Sequence, residues 1–186
     1  MTLLEGAVVE IAAALESMKI DYIIVGGIAN AVWGEPRATI DVDVTVVVEN
    51  PDLAVAIARL TQSFKAAIPD PEAFVRRTRV LPLDTSDGIR IDIIFALMSF
   101  ELEAVRRAAS VMFGDRAVRF VTPEDLLLMK IISDRPRDLA DAEALARRRL
   151  DTLDRAYLEP RMREFAESLE RPEILARWST WTTTSD

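Results

Sequence analysis

Asp41 and Asp43 sit one residue apart in the valine-rich run IDVDVTVVVE, and Asp92 sits in a second apolar run, GIRIDIIFAL. Successive side chains of a strand point to opposite faces, so Asp41 and Asp43 share a face and are close enough to share a cation. If the strand carrying Asp92 lies beside them, three carboxylates gather. Left unpaired they disfavour one another and raise at least one pKa. A divalent metal resolves that repulsion, and carboxylate, water and phosphate oxygens suit magnesium or manganese. Each aspartate taken singly has a plainer reading: Asp41 ends a turn, Asp43 pairs with Arg37 or Arg90, and Asp92 faces solvent. Three of them on strand positions with apolar neighbours favour the metal site.

Composition narrows the chemistry further. There is no cysteine and no histidine, which removes thiolate zinc sites, cysteine nucleophiles, imidazole bases and Ser-His-Asp triads together. Carboxylates, lysine, arginine and hydroxyls remain. Upstream, Gly26-Gly27 closes the short buried run DYIIV and opens the short helix IANAVWG. Glycines at such a junction let backbone amides approach a ligand, and the N-terminus of a helix favours phosphate. A tight turn explains a diglycine equally well; its position before the carboxylate pair gives it weight.

The elements that must position these groups follow from periodicity. Leu4, Val8, Ile11 and Leu15 make one stripe of a first helix over residues 3 to 17. In IDVDVTVVVE, Val42, Val44, Val46 and Val48 share the face opposite Asp41, Asp43, Thr45 and Val47. Asn50 as N-cap and Pro51 at the first helical position predict a helix over NPDLAVAIARLTQSF. FVRRTRVLPL and GIRIDIIFAL read as two strands of a hairpin around DTSDG, with Arg90, Asp92 and Ile94 on one face of the second. SVMFGDRAVRFV reads as a smaller hairpin around Gly114 and Asp115. From Thr122 onward the pattern is helical, with Thr122 as cap, Pro123 at the start and Asp125 three residues after the cap. Pro136, Pro160 and Pro172 punctuate the helices that follow, and the tail WSTWTTTSD reads as frayed. The expected architecture is α+β: a mixed sheet flanked by helices, with a helical C-terminal cap. The boundary near residue 121 marks a change of layer.

The chain has 186 residues, half of them hydrophobic, enough for a full domain core. With 31 acidic and 23 basic residues its formal charge is −8, so no overall basic field draws it onto nucleic acid or an anionic membrane. The N-terminal segment with Glu5, Glu10 and Glu16 does not read as a signal peptide, and no apolar run spans a bilayer. A cytoplasmic protein with no membrane partner is expected.

Taken together, Gly26-Gly27, then Arg37 and Thr39 leading into Asp41-Val42-Asp43, then Asp92, resemble the nucleotidyltransferases of the DNA polymerase β-like superfamily. The form VGGIANAVWGEPRATIDVDV is most similar to the bacterial AbiEii-type nucleotidyltransferases, several of which are toxins of toxin–antitoxin systems. The match is specific over residues 22 to 48 and looser over LLLMKIISDRPRDLADAEAL. The resemblance implies a nucleotidyltransferase core over residues 1–121 and a C-terminal helical region, 122–186, packed on it. It makes Asp41 and Asp43 ligands of two magnesium ions, or of one metal plus the nucleotide's own magnesium. Asp92 would ligate the second metal and help deprotonate an acceptor hydroxyl. Gly26 and Gly27 would contact the triphosphate through their backbone, Lys130 would reach a phosphate, and Asp138 or Asp141 would orient Lys130 or contact the nucleotide. Gly-Gly replaces the commoner Gly-Ser of the superfamily, which removes one hydroxyl contact to phosphate.

Arg37 is a phosphate ligand or pairs with Glu35 or Asp41, and Thr39 contacts the nucleotide or fills the strand. Lys130 also admits the reading of a solvated helix lysine. The run Arg147-Arg148-Arg149 is a solvated helix end or a contact for RNA. The expected reaction is magnesium-dependent transfer of a nucleoside monophosphate from a nucleoside triphosphate to a hydroxyl of an acceptor: tRNA or another RNA, a protein or a small molecule. An antitoxin is the expected protein partner. The alternatives are a non-catalytic nucleotide-binding or regulatory module and an antibiotic-modifying nucleotidyltransferase.

Overall fold

A computed structural model describes residues 2 to 183 of the chain. Among these, seven strands form one mixed sheet, ordered β3-β4-β5-β2-β1-β7-β6. They are β1 (Asp21–Ile24), β2 (Asp41–Val47), β3 (Lys65–Ala66), β4 (Val80–Asp84), β5 (Arg90–Phe95), β6 (Ala109–Phe113) and β7 (Arg116–Phe120). β2 runs parallel to β5 and antiparallel to β1, and β1 runs parallel to β7. The α+β class expected from the sequence is the class observed.

Contacts divide the chain into two units, one holding residues up to Ile28 and Ala38–Val121, the other Ala29–Arg37 and residues from Thr122 onward. The first unit contains the whole sheet. Its core is the apolar face of the central strands: Val42, Val44 and Val46 on β2, Ile91, Ile93 and Phe95 on β5, and Leu81 and Leu83 on β4 are all buried. Burying each such side chain contributes about 1.5–3 kcal/mol, so the alternation read from the sequence is also what holds the strands in register. Helix α1 (Leu3–Met18) packs on β1, β2 and β7 through Val8, Ile11 and Leu15. It starts with a reciprocal cap in which Glu5 N donates to Thr2 Oγ1 and Thr2 N to Glu5 Oε2.

Two expectations about local structure are corrected in this unit. The segment from Asn50 starts with a 3-10 turn (Asn50–Asp52), and α3 proper runs Leu53–Ser63 with Asp52, not Asn50, at its N-cap. Residues 74 to 78, expected to be strand, are helical: α4 (Pro71–Thr78) is capped by Asp70, whose side chain accepts from Ala73 N, and strand β4 begins only at Val80. The Asp70-Pro71-Glu72 start signal outweighs the strand pattern that follows it. Helix α5 (Ser99–Arg106) and the two-residue edge strand β3 had no assignment from sequence. The hairpins of β4 with β5 and of β6 with β7 form around the turns at Gly88 and Gly114, both at positive φ.

In the second unit, α6 (Pro123–Ser133), α7 (Pro136–Arg149), α8 (Arg155–Ser168) and α9 (Glu173–Thr182) pack as α6 on α7 and α8, and α9 on α7 and α8. Thr122 caps α6 as its sequence signals: its hydroxyl accepts from Asp125 N and donates to Asp125 Oδ2 at 2.8 Å. The other oxygen of the buried Asp125 accepts from the Tyr157 hydroxyl at 2.6 Å, tying α8 to the start of α6. Pro160 does not end a helix but lies inside α8, where it removes one backbone donor from the helical ladder. The expected frayed tail is instead ordered to Thr182, because Trp178 and Trp181 are buried; its last three residues lie outside the described region. No helix among the described residues is long and apolar enough to cross a membrane.

Candidate active site

In the first unit the parallel register of β2 and β5 sets Asp43 directly opposite Asp92. Paired positions project from the same face, so Asp41, Asp43 and Asp92 stand on one face of adjacent strands. All three are half-buried. Asp92 titrates above the usual carboxylate range: burial is the largest cause, and the charges of Asp41 and Asp84 add to it against the opposing Arg90. Arg90 itself is held by Asp84, Nε to Oδ1 at 2.8 Å.

The diglycine belongs to the same constellation. Gly26 opens α2 (Gly26–Trp33) at φ +63°, and a Cβ added there would stand 1.9 Å from Asp43 Oδ2. At Gly27 a Cβ would stand 2.5 Å from Thr39 Oγ1. Only hydrogen at these Cα atoms lets the loop and the strand pass so closely. Val25 N donates to Asp43 O at 2.9 Å, which fixes the approach. Thr39 precedes the strand, and its hydroxyl donates to Asp41 Oδ1 at 2.9 Å. Gly26, Gly27, Thr39, Asp41 and Asp43 therefore form one continuous wall.

Among the described residues no three acidic side chains are grouped tightly enough to hold a metal ion by themselves. That differs from a self-sufficient three-carboxylate cage and agrees with the habit of magnesium, which takes one or two carboxylates and completes its shell with water and substrate phosphates. The donor set, hard oxygens beside a cradle that a Cβ would fill, fits such an ion.

The remaining expected site residues lie in the second unit. Lys130 is 4% exposed, so it is not a solvated helix lysine. Its Nζ donates to Asp141 Oδ2 at 2.7 Å and to Asp138 Oδ1 at 3.2 Å. Arg37 forms an ion pair with Asp141 at 3.0 Å, across 104 residues of sequence. Ser133 Oγ and Arg135 Nε both donate to Asp138 Oδ2. Burial pushes the Asp138 carboxyl up, but the Ser133 and Arg135 hydrogen bonds and the Lys130 charge outweigh it and hold its pKa below the usual range. Ser133 and Arg135 were not singled out from sequence; their place at the α6–α7 turn, within five residues of Asp138, was the available signal. Arg149, at the end of the triple-arginine run, donates to Trp33 O and lies over the Trp33 ring at 5.2 Å, while Arg147 pairs with Glu143.

A family model described as nucleotidyl transferase AbiEii toxin, type IV TA system, matches residues 12–180. The chain belongs to the AbiEii nucleotidyltransferase family. It is thus an enzyme of nucleotidyl transfer. No curated protein sequence matches it. Among solved structures, it is similar to an antigenic nucleotidyltransferase-like protein from Paracoccidioides brasiliensis, with 17% identity over 94% of this chain and 91% of that one and a TM-score of 0.56. It is also similar to the lincosamide antibiotic adenylyltransferase LnuA in its lincomycin-bound form (16% identity, 78% and 98% covered, TM-score 0.53). The antibiotic-resistance factor ANT(2'')-Ia is a third (15% identity, 95% and 93% covered, TM-score 0.53). At these identities the likeness is one of fold. Within the AbiEii chain, the structure brings Gly26, Gly27, Thr39, Asp41, Asp43 and Asp92 together in the first unit, and Arg37, Lys130, Asp138 and Asp141 together in the second.

Proposed function

We propose that this AbiEii nucleotidyltransferase moves a nucleoside monophosphate from a nucleoside triphosphate to an acceptor hydroxyl, using a divalent cation, magnesium foremost, held by Asp41 and Asp43. The observation that carries the reading is the contact of Gly26 with the Asp43 carboxylate, because it makes the diglycine and the aspartates one surface. A cation held there by Asp41 and Asp43 would neutralise charge on phosphate oxygens and favour ionisation of the attacking hydroxyl. Gly26 and Gly27 leave their backbone open to the triphosphate. Asp92, in register with Asp43 and with a raised pKa, accepts the proton of the acceptor hydroxyl. That oxygen forms a bond to the α-phosphorus, the bond to the α–β bridging oxygen breaks, and pyrophosphate leaves with the electron pair. The family's toxin description supports a growth-control role with an antitoxin as partner.

The test incubates the purified chain with α-labelled triphosphates, magnesium and separate RNA, protein and small-molecule fractions of a cell extract. Labelling of one fraction is expected, lost without magnesium and reduced by about two to three orders of magnitude in Asp41→Ala and Asp43→Ala. Absence of both transfer and metal-dependent nucleotide binding overturns the reading. Growth arrest on expression, relieved by the Asp43→Ala variant, is the expected cellular result.

A further inference from the structure

In the wall made by Gly26, Gly27, Thr39, Asp41 and Asp43, Thr39 supplies the one hydroxyl, and that hydroxyl is fixed from two sides. Its Oγ1 donates to Asp41 Oδ1 at 2.9 Å, while the Asp41 backbone oxygen lies 3.5 Å away. A hydroxyl has a single proton to give, and the shorter contact commits it to the carboxylate. On the other side stands Gly27, where a Cβ would come within 2.5 Å of Thr39 Oγ1 and 2.9 Å of Thr39 Cβ. Any side chain at residue 27 therefore competes with Thr39 for the same space. The branched Cβ of threonine restricts its χ1, so the hydroxyl keeps one direction, toward Asp41.

The consequence falls on Asp41. Its Oδ1 accepts from Thr39, whereas among the described residues no donor is bonded to its Oδ2. The two carboxylate oxygens are thus unequal before any cation arrives. Hard divalent cations differ in what they ask of a carboxylate. Magnesium demands a near-ideal octahedron, in which the two oxygens of one carboxylate lie too close together to fill two corners; calcium takes six to eight oxygens and accepts both. A hydrogen bond that occupies one oxygen favours the first cation over the second.

We infer that Thr39 is a positioning residue that sets the cation preference of the site. Its hydroxyl holds Asp41 Oδ1 and leaves Oδ2 as the oxygen offered to a cation, which suits magnesium and disfavours calcium. Thr39 acts through Asp41 and not by touching the nucleotide. Gly27 has a matching part: its bare Cα gives the Thr39 hydroxyl room to reach Asp41. The inference rests on the nucleotidyl-transfer reading of the aspartate face and adds to it the residue that chooses the ion.

The test measures calorimetric binding of a non-hydrolysable nucleoside triphosphate to the full chain in magnesium and, separately, in calcium, for the wild type, Thr39→Val, Thr39→Ala and Thr39→Ser. The wild type is expected to bind more tightly in magnesium. Thr39→Val keeps the shape and removes the hydroxyl proton. Its binding in magnesium is expected to weaken about 10–100-fold, the usual effect of losing a group that orients a metal ligand, while its binding in calcium holds or strengthens. Thr39→Ala is expected to show the same change of preference with a smaller side chain, so a packing fault in one variant does not decide the result. Thr39→Ser is expected to restore the magnesium preference. A merely structural role, or a direct contact with the nucleotide, weakens binding equally in the two cations; that outcome overturns the inference, as does a magnesium-to-calcium ratio unchanged in both Thr39→Val and Thr39→Ala. Wild-type triphosphate binding that needs no divalent cation removes the nucleotidyl-transfer reading itself, and the inference falls with it.

Discussion

The aspartate face of the sheet and the Lys130 network between α6 and α7 are both built on carboxylates, and they treat charge in opposite ways. On the sheet, Asp92 is driven up by burial and by Asp41. Between the helices, Asp138 is drawn down by Ser133, Arg135 and Lys130, and Asp141 is shared by Lys130 and Arg37. The first arrangement leaves repulsion that a bound cation would relieve; the second settles its charges internally. Function is expected to concentrate where the charge is unresolved, and stability where it is resolved.

The sharpest way to break this contrast is to unbalance the resolved side. Lys130→Met leaves Asp138 and Asp141 buried beside a hydrophobic chain, and is expected to cost about 3–5 kcal/mol in denaturant-induced unfolding. A loss under ~1 kcal/mol, in the range of a surface pair, would place the network among exposed ion pairs.

Gly26→Ala comes next. It forces a Cβ onto Asp43 in a left-handed backbone. The expected cost is about 1–3 kcal/mol of stability, accompanied by loss of nucleotidyl transfer because Asp43 is displaced. Full activity would show that the diglycine is only a turn.

The smallest effects carry the comparison itself. A raised carboxyl pKa favours the folded state at low pH, and that contribution is lost as pH rises through the folded pKa. The ionised Asp92 therefore weakens the fold at neutral pH. Asp92→Asn is expected to raise the melting temperature there, and the gain to shrink as pH falls through the raised pKa. Asp138 has the opposite sign: its stabilisation is present above the ordinary carboxyl pKa and fades as pH falls through the lowered one. Asp138→Asn is expected to lower the melting temperature at neutral pH, with the deficit shrinking on acidification. Shifts of the same sign in the two variants would erase the contrast.

The legibility of the two regions in sequence differs for the same physical reason. The aspartate face follows from a period of two, which is local: Asp41, Asp43 and Asp92 were readable as strand residues opposite Val42, Val44 and Ile91. The Thr122 cap and Pro123 start were equally local. The ion pair of Arg37 with Asp141 joins residues 104 apart, and no local pattern encodes it. Burial of Lys130 also depends on how α6 meets α7. Where local signals competed, one had to win: the Asp70-Pro71 helix start defeated the strand-like Phe74–Arg79 run, and the buried Trp178 and Trp181 kept α9 helical through a threonine-rich end.

The most direct measurement of the assignment is calorimetric binding of a non-hydrolysable nucleoside triphosphate, with and without magnesium, to the wild type and Asp43→Asn. Binding that requires magnesium and is abolished in Asp43→Asn is the expected result. Equal binding by Asp43→Asn, or binding indifferent to magnesium, would contradict the placement of the metal and nucleotide site on the aspartate face.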